Sequence, residues 1–160
     1  MKFELAKPKH LEQICLITDQ AKAQLRSMGV DQWQKGYPSQ AVWESDIANS
    51  SAWVALEDEC VLGVFAFQTT PDPSYTEIEG AWCSDIPYAS MHRVCVSDEA
   101  KGKGVAGAMF RQGFKMATAA GFRSMRIDTH ASNIPMQRAL TKAGFLPCGI
   151  IILKGGCEDG

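Results

Sequence analysis

Residues Met91–Ala106, MHRVCVSDEAKGKGVA, constrain the fold more than any other stretch: a short apolar alternation, a polar turn and a glycine-rich segment run there straight into a helical pattern. Successive side chains of a strand point to opposite faces, so His92, Val94 and Val96 are expected on one face and Arg93 and Cys95 on the other. Ser97–Ala100 reads as the turn. Val105, Ala106, Met109, Phe110, Phe114 and Ala117 then recur at helical spacing. Gly102 and Gly104 let the backbone bend and come close to a ligand. The first turn of a helix carries unpaired N–H groups and a partial positive charge, and Lys101 and Lys103 stand beside it. A strand, a glycine loop and a helix start of this kind make an anion site.

Three phosphate-loop patterns compete for this stretch. The nucleoside-triphosphatase loop ends in Gly-Lys-Ser/Thr, and Gly104 is followed by Val105, so that pattern fails. Gly102, Gly104 and Gly107 fit the dinucleotide pattern G-x-G-x-x-G. Its acidic residue about 20 positions on would fall near Gly121–Arg126, where there is none, which weakens that reading. In the third, Lys101-Gly102-Lys103-Gly104-Val105-Ala106 resembles the Arg/Gln-x-x-Gly-x-Gly/Ala acyl-CoA pyrophosphate loop of the GNAT N-acyltransferase superfamily, with Lys101 in place of the usual Arg or Gln. A second stretch, Asn133-Ile134-Pro135-Met136-Gln137-Arg138-Ala139-Leu140 closing on Gly144-Phe145, is similar to that family's second motif, an Asn-capped helix followed by Gly-Phe.

The resemblance implies an α/β (α+β) fold of GNAT type, a mixed central sheet of about six to seven strands flanked by about four helices, filling residues 1–160 as a single domain. It also implies acetyl-CoA as cofactor, its pyrophosphate over Lys101–Ala106 and its pantetheine arm between splayed strands holding Val94 and Met125–Thr129. The backbone of Val94, Cys95 and Val96 would pair with that arm as an added strand pairs with a sheet edge. Asn133 would lie close to the cofactor. The implied reaction is direct acetyl transfer, in a ternary complex, to the primary amine of a small molecule or peptide. The alternative is a GNAT-like module that binds acyl-CoA as a sensor or interaction domain without turnover.

An ammonium acceptor must lose a proton before it attacks. His92, which titrates nearest neutral pH, is the first candidate base, and Glu79, acting through water, the second. Many relatives place a Tyr directly after the Leu of the second motif as general acid; here Leu140 is followed by Thr141. The segment joining the first two helices borders the acceptor site in the family, which nominates Asp31, Trp33 and Tyr37. Trp82, in a long irregular segment, and His130, before the second motif, complete the acceptor set, since aromatic faces and polar groups suit a small cationic amine. Cys95, inside a strand without an adjacent base, reads as packing and not as a nucleophile.

In chain order, Phe3–Ala6 reads as a strand and Pro8 as the first turn of a helix carrying Leu11, Ile14, Cys15, Ala21, Leu25 and Met28, stopped by Gly29. Ser39 can cap a second helix around Val42, Trp43 and Ile47. Ala52–Glu57 and Val61–Thr69 form a hairpin. Ser74–Ser90 is irregular with an extended piece at Thr76–Trp82, and strands are expected at Arg123–Thr129 and Phe145–Leu153. The 160 residues suit one domain, and 16 basic against 18 acidic side chains, with no long basic run, give no support to a nucleic-acid partner. The 6 cysteines lack C-x-x-C spacing, and no metal-ligand pattern is present. No apolar run approaches the roughly 18 residues of a membrane span, and Met1–Lys9 lacks the apolar core of a signal peptide, so no membrane partner and a cytoplasmic location with free thiols are the expectation. A homodimer is left open.

Overall fold

A computed structural model describes residues 1–153. The Gly155–Gly160 tail, whose glycines read as a turn, lies outside the described residues. The chain opens with β1 (Lys2–Leu5) and a 3-10 turn at Pro8–His10, which leads into α1 (Leu11–Ser27). Ile14, Ile17, Thr18 and Leu25 form its buried stripe. Gly29, at φ 70°, turns the chain away just beyond it. α2 (Gln40–Ala48) starts at Ser39, whose Oγ accepts from the Val42 N–H at 3.4 Å. Trp43 is wholly buried and donates its indole N–H to Thr18 Oγ1 at 2.9 Å, pinning α2 to α1. Truncating such a buried indole costs roughly 3–5 kcal/mol.

Next come β2 (Ala52–Glu57) and β3 (Cys60–Gln68), joined through Asp58 and Glu59, with Asp58 at φ 53°. They are followed by β4 (Glu79–Gly80), β5 (Ala89–Val96), α3 (Val105–Ala119), β6 (Met125–Arg126), α4 (Ile134–Ala143) and β7 (Gly149–Ile150). The main sheet has the order β1-β2-β3-β5-β6, antiparallel except for the parallel pair β5/β6. β4 and β7 pair only with each other. The expected six- to seven-stranded sheet is therefore a five-stranded sheet plus a two-stranded ribbon. The strand expected over 145–153 shrinks to two residues, because it finds β4 and not the sheet edge as its partner.

Two apolar layers cover the sheet. α1 and α2 pack Ile14, Ile17, Leu25 and Trp43 against Val54, Val64 and Cys95. α3 and α4 pack Val105, Met109, Phe110 and Leu140 against Phe65, Met91 and Val94. Between these layers β5 carries a bulge. Val64 pairs with Cys95 and Ala66 with His92, so Phe65 alone stands opposite both Arg93 and Val94. Arg93 absorbs the extra residue in the left-handed region at φ 53°.

The bulge overturns the simple alternation expected for this strand. Val64 and Ala66, two residues apart, share the α1 face, and so do their partners Cys95 and His92. Met91 and Val94 take the α3 face. His92 thus lies opposite Val94 and not beside it, and it has Arg93 as a neighbour on its own side.

β6 pairs with β5 only through Ala89/Met125 and Ser90/Arg126. The strand expected to run to Thr129 ends at Arg126, and residues 127–129 swing away from β5. The edge of β5 beyond Ser90 is left without a neighbouring strand on that side, among the described residues, and a gap opens between the two.

Candidate functional site

A cavity of about 490 Å³ occupies this gap, within the usual range for small-molecule sites. One end is built from β5 and the loop after it. Val94, Cys95, Val96, Lys101 and Ala106 all line it, and Asn133 lines it from the start of α4. Gly102, Lys103 and Gly104 carry the loop on as exposed chain, and Val105 begins α3. Gly102 and Gly104 sit at φ 76° and 79°, and a Cβ on either would meet nothing within 4 Å. Open space therefore faces the loop, and α3 starts at Gly104 with no side chain capping its free N–H groups. Lys101 pairs with Asp98, an exposed ion pair of little energetic weight that leaves the ammonium at the loop.

Asn133 does two jobs through one amide. Its Oδ1 accepts from the Met136 N–H at 3.3 Å, capping α4, while its Nδ2 donates to Gln32 Oε1 at 3.0 Å. Gln32 lies in the α1–α2 connection, whose Trp33 and Tyr37 also line the cavity. Lys22 on α1 fastens that connection by donating to the Pro38 carbonyl at 2.8 Å.

The other end of the cavity is acidic. His92 Nε2 is 3.0 Å from Ser90 Oγ and 3.7 Å from Asp72 Oδ2, and its Nδ1 is 4.0 Å from Asp128 Oδ1. Tyr75 stacks on the imidazole with ring centres 6.0 Å apart and donates its hydroxyl to Asp128 Oδ1 at 2.5 Å. Asp72 is held by the Ser74 N–H on its Oδ1 at 2.7 Å, and its own N–H donates to Tyr88 Oη at 3.1 Å. Desolvation pulls the His92 pKa below its ordinary value and Arg93 adds to that pull. Asp128 and Asp72 oppose it without reversing it, so the site favours the uncharged imidazole. Burial also raises the Tyr75 phenol far above its usual range, so its hydroxyl keeps its proton.

Arg93 stands beside His92 with its charge already matched. Nε donates to Asp46 Oδ2 at 2.9 Å, Nη2 to Asp46 Oδ1 at 3.0 Å, and Nη1 to Tyr37 Oη at 2.8 Å. Burial works against its charge, and Tyr37 and Asp46 outweigh that, so its pKa lies above the ordinary arginine value. Cys95 is pushed up to about 12 by burial, which keeps it a thiol and removes it as a nucleophile.

Several residues expected at the acceptor end lie elsewhere. Glu79 is exposed on β4, turned into the ribbon with β7. Asp31 is exposed, and its neighbour Gln32 takes the inward place. Trp82 donates its indole N–H to the Tyr75 carbonyl at 3.0 Å and covers Arg126, whose guanidinium carbon lies 4.2 Å from its ring centre and 4.0 Å from that of Tyr88. Trp82 thus anchors the 69–88 segment from the far side. His130 accepts from the Ser132 N–H through Nδ1 at 3.0 Å and does not line the cavity. Thr141 is exposed and bonded to the Gln137 carbonyl at 3.0 Å, outside the cavity.

The sequence reading passed over Asp72, Arg93 and Asp46 as site residues. Asp72 stands between Pro71 and Pro73, a pattern that signals only the end of a strand, and no signal in the sequence joins Asp46 to Arg93. A positive φ at a non-glycine residue leaves no mark on composition or spacing.

A comparison with curated protein sequences finds no match. The model of the acetyltransferase (GNAT) family matches residues 22–145, and the chain belongs to that family. It is 34% identical to a GNAT-family acetyltransferase from Streptococcus agalactiae, over 96% of this chain and 90% of that one, with a TM-score of 0.83. An acetyltransferase structure from Staphylococcus aureus is 26% identical, over 91% and 92% of the two chains, at a TM-score of 0.74. An aminoglycoside N-acetyltransferase solved in complex with CoA shares the fold, at 18% identity over 97% and 98% of the two chains and a TM-score of 0.69. No helix among the described residues is long and apolar enough to cross a membrane.

Proposed function

We propose that this chain transfers an acetyl group from acetyl-CoA to the primary amine of a small cationic molecule or peptide, by direct attack in a ternary complex. The observation that carries the reading is one continuous cavity, which runs from an uncapped, glycine-rich helix start, past an unpaired strand edge, to a histidine flanked by two carboxylates. The residues present suit acyl-CoA. The N–H groups at Gly104–Ala106 with Lys101 and Lys103 would hold the pyrophosphate, and the open edge at Val94–Val96 the pantetheine amides. Bound acetyl-CoA supplies a thioester carbonyl as the electrophile.

The chain's own groups supply the rest. The open edge of β5 beside Val94 would offer a backbone N–H to the carbonyl oxygen. Asp72 and Asp128 attract an ammonium ion, and neutral His92 accepts its proton directly or through one water. Glu79, exposed on β4, is displaced from that role by its position. A non-catalytic acyl-CoA sensor is less well supported, because the acceptor end is open and lined by ionisable groups and not filled by apolar side chains.

A broad screen of amines with detection of free thiol tests the reading. CoA release that depends on an amine is expected, lowered at least tenfold in Asp128→Asn and unchanged in Glu79→Gln. Tight acetyl-CoA binding with no amine-dependent thiol release across the screen would favour the sensor.

A further inference from the structure

The β4–β7 ribbon brings together two thiols that are 65 residues apart in sequence: Cys83 Sγ and Cys148 Sγ lie 3.5 Å from each other. The approach is built into the backbone. β4 and β7 meet at Gly80 and Gly149, where a Cβ on Gly80 would fall 2.3 Å from the Cys148 carbonyl oxygen and one on Gly149 2.2 Å from that of Glu79. Only two facing glycines allow that closeness. The Ala81 N–H then donates to the Cys148 carbonyl at 3.0 Å, which carries the pairing on toward Cys83. Cys83 is exposed and Cys148 half-buried, so a small solvent-borne oxidant reaches both.

The geometry points to Cys83 and Cys148 as a disulfide-forming modification site that covalently closes the β4–β7 ribbon. Bonded sulfurs lie about 2.05 Å apart, so closure needs only about 1.5 Å of movement, within reach of side-chain rotation. With a peroxide as oxidant the chemistry balances in two steps. One thiolate attacks a peroxide oxygen and the O–O bond breaks, giving a sulfenic acid and, after proton transfer, water. The second thiolate attacks that sulfur, the S–S bond forms, and the hydroxyl leaves as a second water. In sum, two thiols lose two hydrogens and one peroxide becomes two waters.

The bond would tie two segments that both reach the cavity. The stretch between β3 and β5 carries Asp72 and Ser74, and the chain after β7 carries Leu153. Oxidation would thereby join one wall of the acceptor end to the C-terminal segment. Nothing in this depends on which amine is acetylated.

The full chain, in a Cys60→Ser background that removes an exposed thiol able to bridge two molecules, is treated with hydrogen peroxide at about pH 8.5, where thiolate is available. The protein is then digested without reductant. A Cys83–Cys148 linked peptide in monomeric protein is expected, reversed by dithiothreitol and absent from Cys83→Ser and from Cys148→Ser. The intact bond closes a long loop in the unfolded chain and should raise the unfolding midpoint relative to the reduced protein. Absence of the linked peptide, a link from either cysteine to another partner in its place, or a lowered midpoint on oxidation would overturn the proposal.

Discussion

Asp46 grips Arg93 with both carboxylate oxygens, and in doing so joins α2 to the bulge of β5, 47 residues further along the chain. Both side chains are only 10% exposed. The pair holds a non-glycine residue in a left-handed conformation that costs roughly 1–3 kcal/mol of backbone strain. Trp43 lies under the same guanidinium, its ring centre 5.8 Å from the charged carbon, so the helix that supplies Asp46 also supplies the packing.

Asp46→Asn should accordingly leave a buried guanidinium without its counter-charge. A loss of roughly 3–5 kcal/mol in chemical denaturation is expected, the usual consequence of removing one partner from a buried pair. A loss below about 1 kcal/mol would show that Tyr37 alone satisfies Arg93.

Gly104→Val places a β-branched residue where φ is 79°, with open space around the new side chain. The penalty is conformational and not a clash, about 1–2 kcal/mol if the backbone holds. Relaxing it would redirect the N–H groups that begin α3. Calorimetry should show CoA affinity reduced at least tenfold while circular dichroism stays unchanged; full affinity would mean that the anion sits elsewhere.

His92 and His10 are both held below their ordinary value of 6.5, in each case chiefly by burial. Unfolded, they take up protons near 6.5; folded, they resist until lower pH. The unfolded chain therefore binds more protons across that window, so stability should be full above about pH 6.5 and decline as the pH falls toward the depressed values. For His92 the charged and titratable neighbours are Asp72, Asp128, Arg93 and Tyr75. Turnover should share this acid limb. His92→Gln is expected to abolish the limb and lower kcat at least tenfold, toward the roughly 10²–10⁴-fold that a general base contributes, with CoA affinity little changed. Wild-type rates and an unaltered pH profile in that variant would move the proton to another base.

Much of the architecture was legible because it rests on local rules. Gly29, Gly121 and Gly144 each stand in the left-handed region just beyond a helix, and Ser39 and Asn133 cap the helices they precede. The glycine loop was legible for the same reason, since Gly102 and Gly104 take the left-handed conformation at the start of α3. The other end of the cavity was legible only in part: Trp33, Tyr37 and His92 do line it, but the company His92 keeps was not foreseeable. Asp72, His92 and Asp128 come from three separate segments, and their meeting depends on where β6 leaves β5. Trp82 suggested a pocket for a cation, and the cation it holds, together with Tyr88, is the chain's own Arg126. The cysteine spacing was equally silent, because Cys83 and Cys148 meet across a ribbon that forms only once β7 finds β4.

The inserted residue in β5 also bears on how this strand is compared with others. Its two halves are out of phase: a parity rule counted from Ala89 assigns His92 correctly and inverts everything after Arg93. Deleting a single codon there would restore the phase. His92 and Val94–Val96 would keep the faces they have now, and the loss would be Arg93 itself and its grip on Asp46. An ungapped alignment with a strand that lacks the extra residue therefore equates side chains that face different layers on one side of Arg93.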